Sequence, residues 1–411
     1  KGQNVSSDIT LYASSSPYLI NNSVQTFGAS STLTIEPGVV IKFYNDAGLQ
    51  FKNGAKILAQ GSSAKPIIFT SFYDDTYGGD TNSDAASTVP SAGNWYGVRI
   101  NSPGAESIIS NAVFRYGGKY YNGPWSDSRA NLYIANSSAE ISDSVFEHSQ
   151  VYGLKMVNSN SSITDSIFRN NNNVSDTAGY DSSLLAMGGN PSLSKNSFVS
   201  NHKGAYFFNS LAAVDSNTFN SNANEAIYSH GQLGYYSNNS GTGNGINAIS
   251  LSGTIAQNGA TTTLVANTLP YLLNGNVITA ASSTLAVNPG AIIKGWNTVS
   301  TSYLNIYGNL IVSGANFSDI IFGSMYNSPA KGNWGGIRLY SGSQSNISGA
   351  TFEYAGTAIS YNGSPLNLSN IKFNENNLGV SADAASASYP INVSDITFTG
   401  NAATTSPSEL W

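Results

Sequence analysis

The densest chemistry in this chain lies between Asp74 and Asp84, where four carboxylates and one amide fall within eleven residues. Gly78 and Gly79 sit in the middle and let the backbone fold tightly. Calcium takes about six to eight oxygens from carboxylates, amide or backbone carbonyls and water. Asp74, Asp75, Asp80, Asn82 and Asp84 are therefore read as the ligands of a Ca2+ ion that clamps a loop and catalyses nothing. The spacing and the missing terminal Glu exclude an EF-hand, and a solvated acidic turn is the plainer alternative.

Other chemistry is thinner. A glycosidase needs two carboxyl groups about 5–9.5 Å apart across a groove, and Asp143, Asp165 and Glu147 are the acids that stacked strands could bring so close. The position of Asp143 and Asp165 is filled elsewhere by Lys195, Ser216, Asn370 and Asp395, which reads as outward-facing variation, so no catalytic residue is assigned. His148, His202 and His230 are too scattered for a metal triad, and no nucleophile elbow, P-loop or dinucleotide fingerprint is present. Tyr116, Tyr120, Tyr121 and Trp125 cluster beside Lys119 in what reads as a protruding loop. Aromatic faces with polar edges stack on sugar rings, so these four are the carbohydrate-contact candidates; a loop packed against its own scaffold is the alternative.

Composition narrows the classes. Charged residues make up 10% of 411, against about 25% in an ordinary soluble domain, so the polar surface is built from Ser, Thr, Asn and Gly. A net charge of −6 with basic residues spread singly excludes a nucleic-acid surface. Without cysteine there is no disulfide framework and no thiolate chemistry. No apolar run approaches the ~20 residues of a membrane span.

The elements that must carry these residues are short and repeated. An aliphatic residue, a few small polar residues, a Phe and then an Asn three places later recur as Ile163 to Phe168 with Asn171, and Leu193 to Phe198 with Asn201. The phrase returns as Val214 to Phe219 with Asn222, Leu368 to Phe373 with Asn376, and Val393 to Phe398 with Asn401; weaker members end at Phe114, Phe146 and Phe352. Phe146 to Phe168 is 22 residues, Phe198 to Phe219 and Phe352 to Phe373 are 21, and Phe373 to Phe398 is 25. That period suits one coil of a parallel β-helix, in which equivalent side chains stack at about 4.8 Å. The Asn at each strand end is expected to adopt left-handed backbone geometry and to bond its neighbours above and below.

A longer repeat overlies this one. Thr10 to Ile20 matches Thr263 to Leu273 at an offset of 253, and Thr32 to Lys42 matches Thr284 to Lys294 at 252. Gly93, Asn94, Trp95 and Gly97 match Gly332, Asn333, Trp334 and Gly336 at 239. The change in offset marks the acidic loop as an insertion of the first copy only, and the second copy's Ser324 to Ser328 has no acids. The reading is all-β: a right-handed parallel β-helix solenoid of two tandem homologous modules, 1–250 and 251–411, forming one continuous or near-continuous helix. The first carries the acidic loop 74–84 and insertions near 117–130 and 172–190. Residues 1–31 are expected to form an irregular first coil.

At Leu33 to Phe43, Lys65 to Thr70 and Gly93 to Trp95 the chain resembles secreted bacterial β-helix repeat proteins of the pectate-lyase-like superfamily. The resemblance implies an extracellular or cell-surface location of bacterial type, and activities ranging from lyase and hydrolase to adhesin and inert stalk. A calcium lyase would add an Arg or Lys base, for which Arg99, Arg115 and Lys119 are the candidates; Arg99 recurs as Arg338 where no acidic loop exists, which favours a structural role. The preferred expectation is a non-enzymatic stalk, adhesin or fibre subunit, calcium-stabilised. A polysaccharide lyase or glycoside hydrolase, or a carbohydrate-binding module without turnover, is the alternative. Expected partners are polysaccharide or neighbouring copies or modules of the same surface protein, with no nucleic acid and no membrane span.

Overall fold

The computed structural model describes residues 4–21, 23–85, 87–120, 128–171, 179–296, 302–363, 365–382 and 391–406. Two compact units emerge: Lys1–Ile227 with Gly241–Ile246, and Tyr228–Ser240 with Asn247–Trp411. Each is a right-handed parallel β-helix, the hand that parallel crossover connections take. Short strands pair in parallel from coil to coil, in unbroken register along the Phe strands and with register shifts where Ile246–Ala256 meets Tyr271–Thr279. The one helical element among the described residues is a single 3-10 turn, Ala13–Ser15. No helix there is long and apolar enough to cross a membrane.

The Phe residues are the inner column that the repeats predict. In the first unit Phe69, Phe114, Phe146, Phe168, Phe198 and Phe219 are all fully buried, and successive rings lie 4.4, 5.2, 4.9, 4.8 and 4.6 Å apart. In the second, Phe322, Phe352, Phe373 and Phe398 follow at 4.7, 5.6 and 5.1 Å. Burying one such side chain stabilises by about 1.5–3 kcal/mol, and stacking on both neighbours adds to that.

The Asn column stacks as expected, but its backbone is not left-handed. The left-handed residue is the one before it, Asn170, Ser200, Ser221 or Glu375, two places after each Phe; the corners without an Asn place Tyr116, His148 and Tyr354 there with the same positive φ. The Asn itself is turned inward, where its amide closes the corner. Asn171 Nδ2 donates to Phe146 O at 2.9 Å, Asn201 Nδ2 to Phe168 O at 2.9 Å, and Asn222 Nδ2 to Phe198 O at 3.1 Å. The Oδ1 of Asn171 accepts the Ser149 backbone N–H, that of Asn201 the Asn171 N–H and that of Asn222 the Asn201 N–H. The ladder is thus the corner's substitute for strand hydrogen bonds, which buried backbone groups require.

The first coil is regular, not irregular. Ile9–Leu11 pairs with Thr32–Ile35, and Tyr18–Ile20 with Val40–Phe43. The glycine two places after each Trp of the repeated Gly-Asn-Trp phrase has a steric cause. At Gly97 (φ 107°) a Cβ would stand 2.1 Å from Ala130 O, and at Gly336 (φ 109°) 1.7 Å from Thr357 O. The neighbouring Trp95 and Trp334 are buried, their indole N–H groups donating to Arg115 O and Glu353 O.

Candidate functional site

The candidate site grows from the outer face of one sheet in the first unit. The residue after each inner-column side chain, Ile41 and then the Phe residues, points outward, so register places Lys42, Thr70, Arg115, Glu147 and Arg169 in one column. The acidic loop leaves the end of the strand Ile67–Ser71 and folds back over this column. Lys42 is completely covered by it, its Nζ donating to Gly79 O at 2.5 Å and Thr81 Oγ1 at 3.1 Å. Burial pushes the Lys42 pKa down, while the charges of Asp75, Asp74 and Asp80 push back.

Asp74 stands apart from the other acids of its loop, a correction to the expected ligand set. Its carboxylate is fully buried, accepts the Thr70 hydroxyl and lies 3.6 Å from Arg115 Nη1. Turned down onto the sheet, it neutralises the arginine that register puts beneath it. Arg115 Nε lies 3.1 Å from Glu147 Oε1, in charge contact without hydrogen-bond alignment, and Arg169 Nε donates to Glu147 Oε2 at 2.6 Å. Asp74, Arg115, Glu147 and Arg169 form an alternating chain of two cations and two anions. Its signal in the sequence was the residue following each Phe of the column, which the reading passed over.

The remaining acids converge. One carboxylate oxygen from each of Asp75, Asp80 and Asp84 lies within 4.8 Å of the others. Asp80 is held by the backbone N–H groups of Ala85 and Asp84, which lower its pKa. Asp75 Oδ1, Asn82 Oδ1 and Asp84 Oδ1 are shut off from solvent and accept no hydrogen bond. Three orphaned acceptors in so negative a loop would cost about 1–3 kcal/mol each. An oxygen-seeking divalent cation among Asp75, Asp80 and Asp84 would neutralise the converging carboxylates, so the donor set fits such an ion. In the second unit the corresponding turn keeps only the frame: Asn333 Oδ1 accepts the Ala330 N–H as Asn94 Oδ1 accepts that of Ser91.

The aromatic candidates divide. Tyr116 occupies a left-handed corner, stacks on His148 at 5.3 Å, and carries the Arg115 guanidinium 4.6 Å from its ring centre. Its hydroxyl accepts from Arg115 Nη2 at 2.7 Å, so it belongs to the charge chain. Burial raises the Tyr116 pKa and lowers that of His148. Tyr120 is 53% exposed, with Arg129 5.4 Å from its ring centre. Tyr121 and Trp125 lie outside the described residues.

Other candidates also find their place. Lys119 pairs with Asp46 at 2.8 Å and holds that carboxyl below its usual range. Arg99 lies 4.9 Å from the Tyr133 ring, and its counterpart Arg338 3.4 Å from that of Tyr303. Asp143 and Asp165 are exposed corner residues with φ 49°, as are Lys195, Asn370 and Asp395 near that value, with half-buried Ser216 at 57°. A left-handed corner, not chemistry, is what this position selects for. His148, His202 and His230 make separate contacts, the last two to Asn224 and Ser252.

Residues 253–404 match the family model described as a pectate-lyase like beta helix domain. No curated protein matches the chain. Among solved structures the chain is similar to one titled "Crystal structure of Agl-KA catalytic domain", at 14% identity and a TM-score of 0.35. That alignment covers 90% of this chain and 63% of the other, so the chain spans less than two thirds of that structure.

Proposed function

We propose that this pectate-lyase-like β-helix chain is a non-catalytic extracellular scaffold, a surface stalk or adhesin, whose first unit is fastened by a divalent cation. The observation that carries the reading is the fate of Arg115. It is the arginine nearest the acidic loop and the residue a calcium lyase would need as a free base. Here it is spent on buried Asp74 and nearly buried Glu147, and Tyr116 covers its edge. Glu147, the carboxylate a hydrolase would need, is bound by two arginines. The cation would be held by Asp75, Asp80, Asn82 and Asp84. Its chemistry there is to neutralise the loop, which packs on the outer column and covers Lys42.

A second reading, a polysaccharide lyase or glycoside hydrolase, is favoured by the family domain matched over 253–404. The deciding experiment incubates the chain, with and without calcium, with acidic and neutral polysaccharides and assays unsaturated ends and new reducing ends. The scaffold reading expects neither. Release of either product, abolished in Glu147→Gln or Arg115→Gln, would overturn it in favour of the enzyme.

A further inference from the structure

A different site is carried by the second unit. There the strands Tyr303–Ile306, Gly336–Leu339, Thr357–Tyr361 and Leu378–Ala382 stack in register. One outward column reads Asn305, Arg338, Ser360, Ser381. The column beside it, one residue past the strand pairs Ile306, Leu339 and Tyr361, reads Tyr307, Tyr340, Asn362. Both columns drop from large to small side chains at the same step. Neighbouring coils are only about 4.8 Å apart, so the drop leaves a hollow of about 240 Å3 with Arg338, Tyr340, Ser360, Asn362 and Ser381 on its walls.

The walls have a definite chemistry. Tyr340 stacks on Tyr307 at 4.2 Å with rings nearly parallel, which fixes the plane it presents. Arg338 lies flat on Tyr303, 3.4 Å from the ring centre, so its guanidinium is pre-set. Among the described residues no carboxylate lies within ion-pair distance of Arg338, in a chain whose net charge is −6. The hollow's remaining polar groups are neutral hydroxyls and a carboxamide. Its volume is below the ~300 Å3 at which drug-sized pockets begin, and suits one sugar ring.

We infer that this hollow binds a single anionic sugar residue of a glycan, its ring against Tyr340 and its acid group paired with Arg338. Ser360, Ser381 and Asn362 supply hydrogen bonds to the ring hydroxyls. The inference deepens the adhesive half of the scaffold reading and is independent of the cation loop. A planar guanidinium takes carboxylate or sulfate in the same two-pronged way, so both sources are tested.

The experiment titrates the full chain with short uronate oligosaccharides, their sulfated counterparts and neutral counterparts, by calorimetry. One acidic arm should bind at least about tenfold tighter than the neutral arm, as the loss of one charge-assisted bond implies. Arg338→Gln should abolish that preference. Ser360→Trp, which fills the hollow and leaves the arginine in place, should abolish binding altogether; each variant's melting temperature establishes that it folds. Equal binding of all three arms, no binding of any, or wild-type affinity in folded Ser360→Trp would overturn the site. Those outcomes leave the scaffold reading standing, whereas turnover of a bound glycan sinks the scaffold reading and spares the site.

Discussion

Replacing Asn201 by Ala tests whether the buried amide ladder holds the coils together. Asn201 is 3% exposed and sits between Asn171 and Asn222. Its Nδ2 donates to Phe168 O at 2.9 Å and Asn222 Oδ1 at 3.1 Å, and its Oδ1 accepts the Asn171 backbone N–H at 3.0 Å and Nδ2 at 3.1 Å. Alanine removes all four contacts and leaves the Asn171 N–H without its acceptor. One orphaned buried donor at about 1–3 kcal/mol, with two or three lost bonds at about 1 kcal/mol each, gives a cost near 4 kcal/mol. The control is Asn367→Ala, which breaks two amide contacts of a similar ladder that faces water; it should cost under about 1 kcal/mol. A solenoid opens in nearest-neighbour steps, so local amide exchange is the right assay. At a factor of ten per ~1.4 kcal/mol, amides of the strands at 145–147, 167–169 and 197–199 should exchange roughly 500- to 1,000-fold faster in Asn201→Ala. If Asn201→Ala and Asn367→Ala fall within about 1 kcal/mol of each other, the ladder is ornament and the corner argument fails.

Three further outcomes follow from the same contacts. Adding calcium should raise the melting temperature of the first unit, by the equivalent of about 2.7 kcal/mol at a hundredfold excess over Kd; paired Asp75→Asn and Asp84→Asn should erase the increment, and a calorimetric titration without heat would remove the ion. His148 has a pKa lowered from 6.5, chiefly by burial and against the pull of Glu147. As pH falls below 6.5 the unfolded chain therefore takes the proton first, so stability is full above that value and declines beneath it. His148→Asn, which tolerates the same positive φ as Asn170 in the next coil, should flatten a plot of melting temperature against pH between 7 and 5. Gly336→Ala should cost more than about 3 kcal/mol, because its Cβ would meet Thr357 O at 1.7 Å. Gly104→Ala meets nothing within 4 Å and should show only the left-handed penalty of about 1 kcal/mol, read by urea denaturation.

What was legible in the sequence was whatever repeats. A Phe every coil and an Asn three places on are periodic signals, and both columns stand where the spacing puts them. At the Asn, propensity alone points to the wrong backbone geometry. Asn favours left-handed geometry, yet the buried amide's need for partners outweighs that preference and passes the positive φ to the preceding residue, whether Asn170, Ser200, Ser221 or Glu375. Asp74 was grouped with its loop because proximity in sequence was all there was to see. Only the register of Phe69 against Phe114 reveals that an arginine lies beneath it. Lys42 was invisible for the same reason, since nothing local says that a loop some forty residues on will cover it. The hollow beside Tyr340 was missed because it is made by absence, two small residues following two large ones on adjacent coils.

The two copies of the Gly-Asn-Trp turn separate frame from graft. Ser71 and Asn94 in the first unit, and Ser324 and Asn333 in the second, close the same corner with the same hydrogen bonds. Each Trp N–H is anchored to the backbone of the next coil, and the Gly two places after each Trp, Gly97 or Gly336, admits a carbonyl that a side chain would block. That corner is complete without the acidic loop, because the second unit builds it without one. The loop is therefore not needed to fold the coil it springs from. What it adds is a cover for Lys42, a counter-ion for Arg115 and three oxygens with nothing to bind. The first two are consequences of laying a polar insertion on a charged column; the third is what the proposed cation would answer. On the proposed reading a bound cation would be the physical reason for this insertion to be acidic, and a corner shared by both units is the reason it could be inserted at all.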